Sequence, residues 1–481
     1  MIDRSEGKFM HPSSSDYSAL RDDSYLFALL WSGAVLGSLA IAIAFIPNDP
    51  RPAGAMFWPA LFLTLGLSVV PILRIRRAIG SMFRADNILM GALVYWVLLD
   101  PLQSAYPLDR VTYESVVMAM TAIATMAIGI SLGAAGRGWR PPKMLLRATQ
   151  PSFNDSSLFL TIWILFLLGM FYFAFSCGFD PSVMIDGLSK NRFAAPWSRG
   201  SIGDWGSFIE HMQYFGYVLP SLTVVLANRK GWIQPRVIIS AALSLIMVMF
   251  LGQGGGRRVV GVILGAAVLN WVLLQRRLSL KLVIGLAVGA VTVLMLMHEM
   301  LEYRSSGFGA ALSGKAPDQE FSYLHVDDNF LRLSQITMFF PDVQPYVGLQ
   351  PITFALIKPV PRVFWPNKPI DVGYDLSKMA GVKGASLSQS IVGELYSVSG
   401  LLSVFLGGLF LGRLAGMWNK VLVLPGGTAK AVVWGLGIMI LFAGIRSMQD
   451  LVIMSYGLFG WLIAAETLRR REMKHRVRVG G

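Results

Sequence analysis

Charged residues are scarce in this sequence of 481 residues: only 15% are Asp, Glu, Lys or Arg, against about a quarter in a typical soluble protein. The single cysteine, Cys177, excludes an intrachain disulfide and any metal site built from several cysteines. Hydrophobic residues make up 54% of the chain, the mean hydropathy is +0.56, and the apolar residues come in long blocks. A helix needs about 20 apolar residues to cross a bilayer. The sequence therefore predicts an all-α, polytopic integral membrane protein.

Twelve apolar segments are predicted to cross the membrane as helices. They lie near 24–46, 53–73, 87–106, 113–135, 156–177, 206–227, 236–252, 258–274, 281–300, 391–412, 428–446 and 450–467. The predicted organisation is a polar N-terminal tail, nine spans, one large loop with short interfacial or re-entrant helices, three further spans and a basic tail. The corresponding ranges are 1–23, 24–300, 301–390, 391–467 and 468–481.

The distribution of basic residues predicts the orientation of these spans. Alternate short loops carry most of the 42 lysines and arginines, and short loops rich in such residues stay in the cytoplasm. Both termini are therefore expected to be cytoplasmic, and the net charge of +14 needs no nucleic-acid partner. Two longer outer segments, about 178–205 and 301–390, also contain bases. These indicate an anionic ligand on the outer face, unless the long loops were translocated regardless of charge.

A glycine-rich turn with two arginines, Gly252–Arg258, connects the seventh and eighth predicted spans. Consecutive glycines allow backbone N–H groups to converge on an anion. Arg257 and Arg258 directly after them could bind a phosphate group in a bidentate manner. The alternative is a tight hairpin whose arginines reach out to lipid headgroups.

Further arginines fall at the same predicted interface. Arg304 follows the ninth span, and Arg446 lies in the short turn between the last two spans, close to Asp450. A charge at membrane depth is costly unless it is paired or functional. Each of these arginines is therefore a candidate for a ligand contact or for a salt bridge at a helix end. Arg192 and Arg332, in the two outer segments, are additional candidates for binding the anionic ligand.

The most polar part of the large loop contains His325, Asp327 and Asp328. A neutral imidazole near a carboxylate can take a proton from a sugar hydroxyl, so these residues are candidates for a general base. The alternative is a solvated loop histidine without a catalytic role. In an extended backbone the two adjacent aspartates point apart, so they are not expected to chelate a metal together. The sequence predicts no metal site and no cofactor.

A proline-rich segment, Lys358–Pro369, follows later in the same loop. Its prolines forbid a continuous helix and predict a rigid, irregular element that presents Arg362 and Lys368 as candidate ligand-binding residues. Glu394 and Tyr396 open the tenth predicted span. There a carboxylate could act on the substrate, hold a sugar hydroxyl or pair with an arginine.

This combination of motifs resembles the oligosaccharide repeat-unit polymerases, the Wzy-type O-antigen polymerase family. The resemblance covers about 250–450 in order and spacing, whereas the first half matches only in hydropathy. Its most specific part is a Pro-Arg-x-x-Trp-Pro-x-Lys-Pro element followed by Gly-Glu-x-Tyr. The residues that carry it are the glycine-rich turn with Arg257 and Arg258, Arg304, Ile357–Pro369, Gly393–Gly400, Gly407–Gly412 and Arg446.

The resemblance implies a GT-C-like membrane glycosyltransferase of the bacterial inner membrane with its active site on the periplasmic face. Its donor and acceptor would both be undecaprenyl-diphosphate-linked oligosaccharides, joined into O-antigen, capsular or exopolysaccharide chains. The arginines would neutralise the diphosphate leaving group, His325 or a nearby carboxylate would be the base, and Glu394 and Tyr396 would contact sugars. Its partners would be the lipid-linked substrates and the bilayer. A chain-length regulator (a polysaccharide co-polymerase) is a possible third partner.

Two other functions fit parts of the same pattern. A ligase of the O-antigen type would use the same donor but deliver the glycan to another acceptor. A transporter or flippase would make no bond, but the sequence has no evident two-halves symmetry, few charges deep in its spans and a large outer loop. These features favour a transferase over a transporter.

Overall fold

The structure is a computed structural model. It describes residues 25–135, 138–150, 154–190, 194–197, 209–253, 256–275, 280–303, 307, 309–310, 313–314, 322–360, 364–369, 371–381, 387–424 and 428–480, without the side chains of 280–283 and 471–480.

Helices account for all the regular structure in these residues. The α-helices are α1 (Tyr25–Ala44), α2 (Phe57–Arg77), α3 (Ala85–Leu93), α4 (Tyr113–Ala134), α5 (Lys143–Ala148), α6 (Asp155–Ser176), α7 (Pro181–Ser189), α8 (Leu219–Lys230), α9 (Pro235–Gln253), α10 (Arg257–Leu273), α11 (Leu280–Glu302), α12 (Asn329–Phe339), α13 (Gln350–Ile357), α14 (Leu376–Ala380), α15 (Ser390–Ser399), α16 (Leu401–Val423), α17 (Thr428–Gly444) and α18 (Met448–Gly480). Two 3-10 helices, Ile79–Phe83 and Glu210–Val218, and a π-helical turn, Val94–Leu98, accompany them.

Eight helices in the described part of the chain are long and apolar enough to cross a membrane: α1, α2, α4, α6, α9, α11, α16 and α18. Two shorter helical stretches, Ala85–Leu98 and Thr428–Gly444, are also apolar. These elements are those expected of an all-helical polytopic membrane protein, as the sequence predicts. The predicted number of twelve spans is not confirmed, because α8 and α10 fall short of the length that the eight reach.

The tenth predicted span, 391–412, differs from the structure because the helix is interrupted at Gly400. This residue has a φ of 73°, and a Cβ there would lie 2.7 Å from the hydroxyl oxygen of Tyr346. The membrane-length helix is instead α16, which begins at Leu401. The preceding α15 is a short, almost entirely buried helix, and Glu394 is one of its buried residues.

Close backbone contact between α4 and α16 explains the glycine run at Gly407–Gly412. A Cβ on Gly129 of α4 would lie 2.6 Å from the carbonyl oxygen of Phe405, and one on Gly408 would lie 2.6 Å from that of Met126. Small residues let membrane helices approach in this way where larger side chains would clash. The glycine run therefore has a packing role in the structure.

A buried ionic cluster joins α2, α3 and α16 with Arg84, the residue directly before α3. The fully buried carboxylate of Asp86 accepts hydrogen bonds from Arg74 at 2.6 Å, Arg84 at 3.0 Å and Asn419 at 3.1 Å. We call these four residues, with Asn87, the Asp86 cluster. It shows that buried arginines in this protein can be purely structural.

Candidate functional site

A cavity of about 1060 Å³ lies where the N-termini of α10 and α18 meet the segments 324–327 and 371–377. Six of the residues predicted from the sequence line it: Arg257, Arg258, His325, Asp327, Glu394 and Arg446. These residues come from four separate stretches of sequence, so only the fold brings them together.

Five charged side chains in the cavity wall form an alternating cluster. Arg257 lies 3.7 Å from Asp327, whose carboxylate also pairs with Arg446. Arg446 pairs with Asp450 at 2.7 Å, and Arg258 lies 3.0 Å from the same Asp450. We call this set the arginine cluster. With three guanidinium groups and two carboxylates, these five side chains carry a net charge of +1.

Two helices begin at the same place, of which α10 adds positive potential, whereas the first N–H groups of α18 already donate to Glu394 and Ser447. The first residues of α10 line the cavity, and no side chain caps this helix at Gly256. The N-terminus of α18 lies directly after Arg446 and Ser447, which also line the cavity. Because the N-terminus of a helix carries a partial positive charge, the arrangement favours an anion.

The segment 326–328 is held in place by Asp100, which lies in the turn after the π-helical turn. Its carboxylate accepts hydrogen bonds from three successive backbone N–H groups, those of Val326 (2.9 Å), Asp327 (3.3 Å) and Asp328 (3.0 Å). Asp328 has a φ of 54°, and such a left-handed residue lets neighbouring N–H groups converge on one anion. Burial raises the pKa of Asp100 to about 7. Asp100 thereby fixes the loop that presents His325 and Asp327 to the cavity.

His325 is fixed on its backbone side and faces the cavity with its ring. Its carbonyl oxygen accepts a hydrogen bond from Arg257 at 3.2 Å, and its Nδ1 lies 3.7 Å from a carboxylate oxygen of Asp328. Burial lowers the pKa of His325 from 6.5; Asp328 opposes this shift and Arg257 adds to it. The imidazole is therefore neutral at neutral pH, which is the form that accepts a proton.

Glu394 positions the turn that carries Arg446. One of its carboxylate oxygens accepts a hydrogen bond from the Ser447 hydroxyl at 2.8 Å, and the other accepts one from the Met448 N–H at 2.6 Å. Burial raises the pKa of Glu394 to about 7. Both oxygens are thus engaged in holding the start of α18, which suits a positioning role better than the predicted sugar contact.

Four predicted site residues are absent from the lining of this cavity. Asp328 accepts a hydrogen bond from the Tyr106 hydroxyl at 3.2 Å and lies 3.8 Å from Arg332, so the two adjacent aspartates do point apart. Tyr396 is buried against Tyr346. The Nζ of Lys368 donates to the backbone carbonyls of Lys358 and Val360 and so clamps the proline-rich segment. Pairing and burial, which depend on the fold, withdraw these side chains from the cavity.

Three further predicted residues, Arg192, Arg304 and Arg362, lie outside the described residues. The same is true of Gly254 and Gly255, two of the three consecutive glycines from which the sequence predicts an anion-binding turn. The third, Gly256, lines the cavity.

Sequence reasoning missed the role of Asp100 and of the segment 371–377. Asp100 lies within the third predicted span, 87–106, and received no role, although a carboxylate in an apolar segment is itself a signal of function. The segment 371–377 forms a wall of the cavity and offered no motif that could have revealed this.

Among the described residues no group of three His, Cys, Asp or Glu side chains could hold a metal ion. Comparison of the chain with protein-family models, with curated proteins and with solved structures finds no match, so the interpretation of this cavity rests on its own geometry.

Proposed function

We propose that this protein is a membrane glycosyltransferase that polymerises oligosaccharide repeat units linked to a lipid diphosphate. The observation that carries the proposal is the arginine cluster: three guanidinium groups from two distant stretches of sequence share one cavity with His325. The finer architecture belongs to the proposal as well: twelve spans, a GT-C-like arrangement, cytoplasmic termini and a cavity on the periplasmic side of a bacterial inner membrane.

The reaction needs charge stabilisation above all. When the acceptor attacks the anomeric carbon of the donor sugar, the bond from this carbon to the diphosphate oxygen breaks. Negative charge then develops on the diphosphate. Fixed cationic donors that face this charge lower the barrier, because they need not reorganise during the reaction. Asp327 and Asp450 hold Arg257, Arg258 and Arg446 in place before any substrate binds.

The attacking group is a hydroxyl of the acceptor sugar, and its proton must be removed. His325 is the candidate base, since its imidazole is neutral and lines the cavity. The proton would move from the sugar hydroxyl to a ring nitrogen while the new glycosidic bond forms. Asp327 fits this role less well, because its carboxylate is already paired with two arginines.

The size of the cavity also supports a large substrate. Pockets for drug-sized ligands have volumes of about 300–1,000 Å³, and this cavity of about 1060 Å³ is slightly larger than that range. Polar side chains suited to sugar hydroxyls also line it, among them Gln350, Asp371 and Ser377. A diphosphate with the sugars next to it would fit in such a space.

The test is to supply the purified protein with lipid-linked repeat units only. The proposal predicts a ladder of products that differ by one repeat each. Product formation only after a second kind of acceptor is added would indicate a ligase. If no bond is made and intact lipid-linked units instead cross the membrane of proteoliposomes, the protein is a transporter and the proposal is wrong.

A further inference from the structure

A second, smaller cavity adjoins the first. This groove of about 240 Å³ lies between the 3-10 helix Glu210–Val218, the proline-rich segment and α18. Its wall includes His211, Tyr214, Pro359, Tyr456 and Phe459, and none of the described residues that line it is an aspartate, glutamate, lysine or arginine. Tyr214 lines both cavities, so the apolar groove begins where the wall of the arginine-containing cavity ends.

The other end of the groove faces the membrane. Phe459 and Ile463 lie one helical turn apart on α18, and they are 53% and 56% exposed. Because this part of α18 is a candidate membrane span, these apolar side chains face the hydrocarbon of the bilayer. A flexible apolar chain could therefore pass from the bilayer along the groove over a mostly apolar surface.

An aromatic pair forms the boundary between groove and cavity. The rings of Tyr214 and Tyr456 are stacked with centroids 4.8 Å apart, and His211 packs edge-on against Tyr456 at 5.1 Å. The buried Tyr456 hydroxyl has no hydrogen-bond partner among the described residues. Buried polar groups normally have a partner, so this hydroxyl points to a ligand with a polar atom at this boundary.

We infer that the groove holds the first isoprene units of the lipid whose diphosphate lies at the arginine cluster. This inference rests on the proposed function and adds to it the place where the lipid chain leaves the site. Lys368 gains a role from the same geometry, since it clamps the carbonyls on both sides of Pro359 in the groove wall.

The experiment narrows the groove and measures binding directly. Ile463→Trp places a larger side chain at the exposed end of the groove. Leu406→Trp is the matched control, because Leu406 lies on α16, is 54% exposed and lines neither cavity. Each purified protein is titrated with sugar-free undecaprenyl diphosphate and, separately, with inorganic diphosphate. Melting temperatures equal to that of the unmodified protein confirm that both variants are folded.

We expect Ile463→Trp to weaken the binding of undecaprenyl diphosphate about tenfold, which corresponds to the loss of about two buried methylene groups. Inorganic diphosphate has no chain, so its binding should not change, and Leu406→Trp should bind both ligands normally. Unchanged binding of undecaprenyl diphosphate to Ile463→Trp would overturn the inference. So would displacement of bound undecaprenyl diphosphate from the unmodified protein by phosphatidylglycerol at equal concentration. These results do not depend on turnover: a protein that makes no polymer but loses lipid binding in Ile463→Trp would disprove the proposed function and leave the groove assignment standing.

Discussion

The Asp86 cluster and the arginine cluster use the same chemistry to different ends. Both contain one more arginine than aspartate, and in both the carboxylates are shared between guanidinium groups. Arg84 and Asp86, however, are only 1% and 0% exposed, and Arg74 is further covered by the rings of Phe27 and Trp31. The arginine cluster instead borders a large cavity. The comparison teaches that access to a cavity, and not the presence of buried arginines, distinguishes a candidate site from a structural brace.

The largest expected effect is on stability at the Asp86 cluster. Asp86→Ala leaves two buried guanidinium groups without their shared carboxylate, which should lower the free energy of unfolding by about 3–5 kcal/mol. The control is Asp49→Ala, because Asp49 pairs with Arg51 at the surface and its loss should not measurably change stability. Thermal or denaturant unfolding of the purified variants measures both. Equal effects of the two substitutions would show that the Asp86 cluster is not a brace.

At the arginine cluster the expected effect is on activity instead. Arg258 is 37% exposed in its side chain and pairs with Asp450, which retains Arg446 as a second partner. Arg258→Gln should therefore leave the melting temperature nearly unchanged but reduce turnover by about 10²–10³, the usual result of removing one transition-state donor. Arg229→Gln is the control, because Arg229 binds Asp155 and Thr428 outside the cavity. A loss of stability without a specific loss of turnover would place Arg258 among the structural arginines.

The pH dependence of turnover tests His325 as the base and distinguishes its titration from that of the positioning residue Glu394. Because burial lowers the pKa of His325, the neutral imidazole persists below pH 6.5 and the acid limb of the profile should lie below that value. Glu394, whose pKa burial raises to about 7, would give an acid limb near pH 7. His325→Asn should lower turnover by about 10² or more and abolish the limb below pH 6.5. A normal acid limb in His325→Asn would exclude His325 as the base.

The lowered pKa of His325 also determines whether the folded protein becomes more or less stable as the pH changes. A histidine whose pKa is lower in the folded protein binds more protons when the chain unfolds. His325 should therefore make the folded state less stable as the pH falls below 6.5. The difference in this slope between the unmodified protein and His325→Asn measures the contribution of this one residue.

The smallest effect is expected at Asp100, which acts on the site only through the loop. Asp100→Asn keeps one oxygen acceptor for the three N–H groups of residues 326–328, so turnover should fall about tenfold with little change in the binding of inorganic diphosphate. Hydrogen exchange at these three amides should become faster. The control is Asp109→Asn, because the side chain of Asp109 is 79% exposed. Unchanged exchange in Asp100→Asn would show that another contact holds the loop.

The sequence predicts the membrane class and most of the charged cavity wall for physical reasons. Long apolar segments have one stable structure in a bilayer, and arginines between such segments are costly enough to stand out, as Arg257, Arg258 and Arg446 do. The pairing of Arg446 with Asp450 is local and is one of the alternatives that the sequence offers, whereas the contacts of Asp327 with Arg257 and Arg446 and of Asp450 with Arg258 arise only through the fold. The role of Asp100 depends on three backbone N–H groups more than 200 residues away, and no local pattern records such a contact.

Only the structure shows which glycines end a helix and which allow two helices to pack closely. Gly400 ends α15 through its positive φ, and Gly408 allows α16 to contact α4, yet the sequence places both simply within or near one predicted span. Tyr396 is likewise buried against Tyr346, and the sequence alone does not show that it lies outside the cavity lining. In each case the deciding quantity is a distance to a residue remote in sequence.

The binding of undecaprenyl diphosphate compared with uncharged undecaprenol tests the central claim most directly. A guanidinium cluster that holds the diphosphate should make the charged lipid bind at least about 100-fold more tightly, since each hydrogen bond to a charged group contributes about 1.5–3 kcal/mol. Arg446→Gln should remove most of this difference. Equal affinity of the unmodified protein for the two lipids would contradict the account.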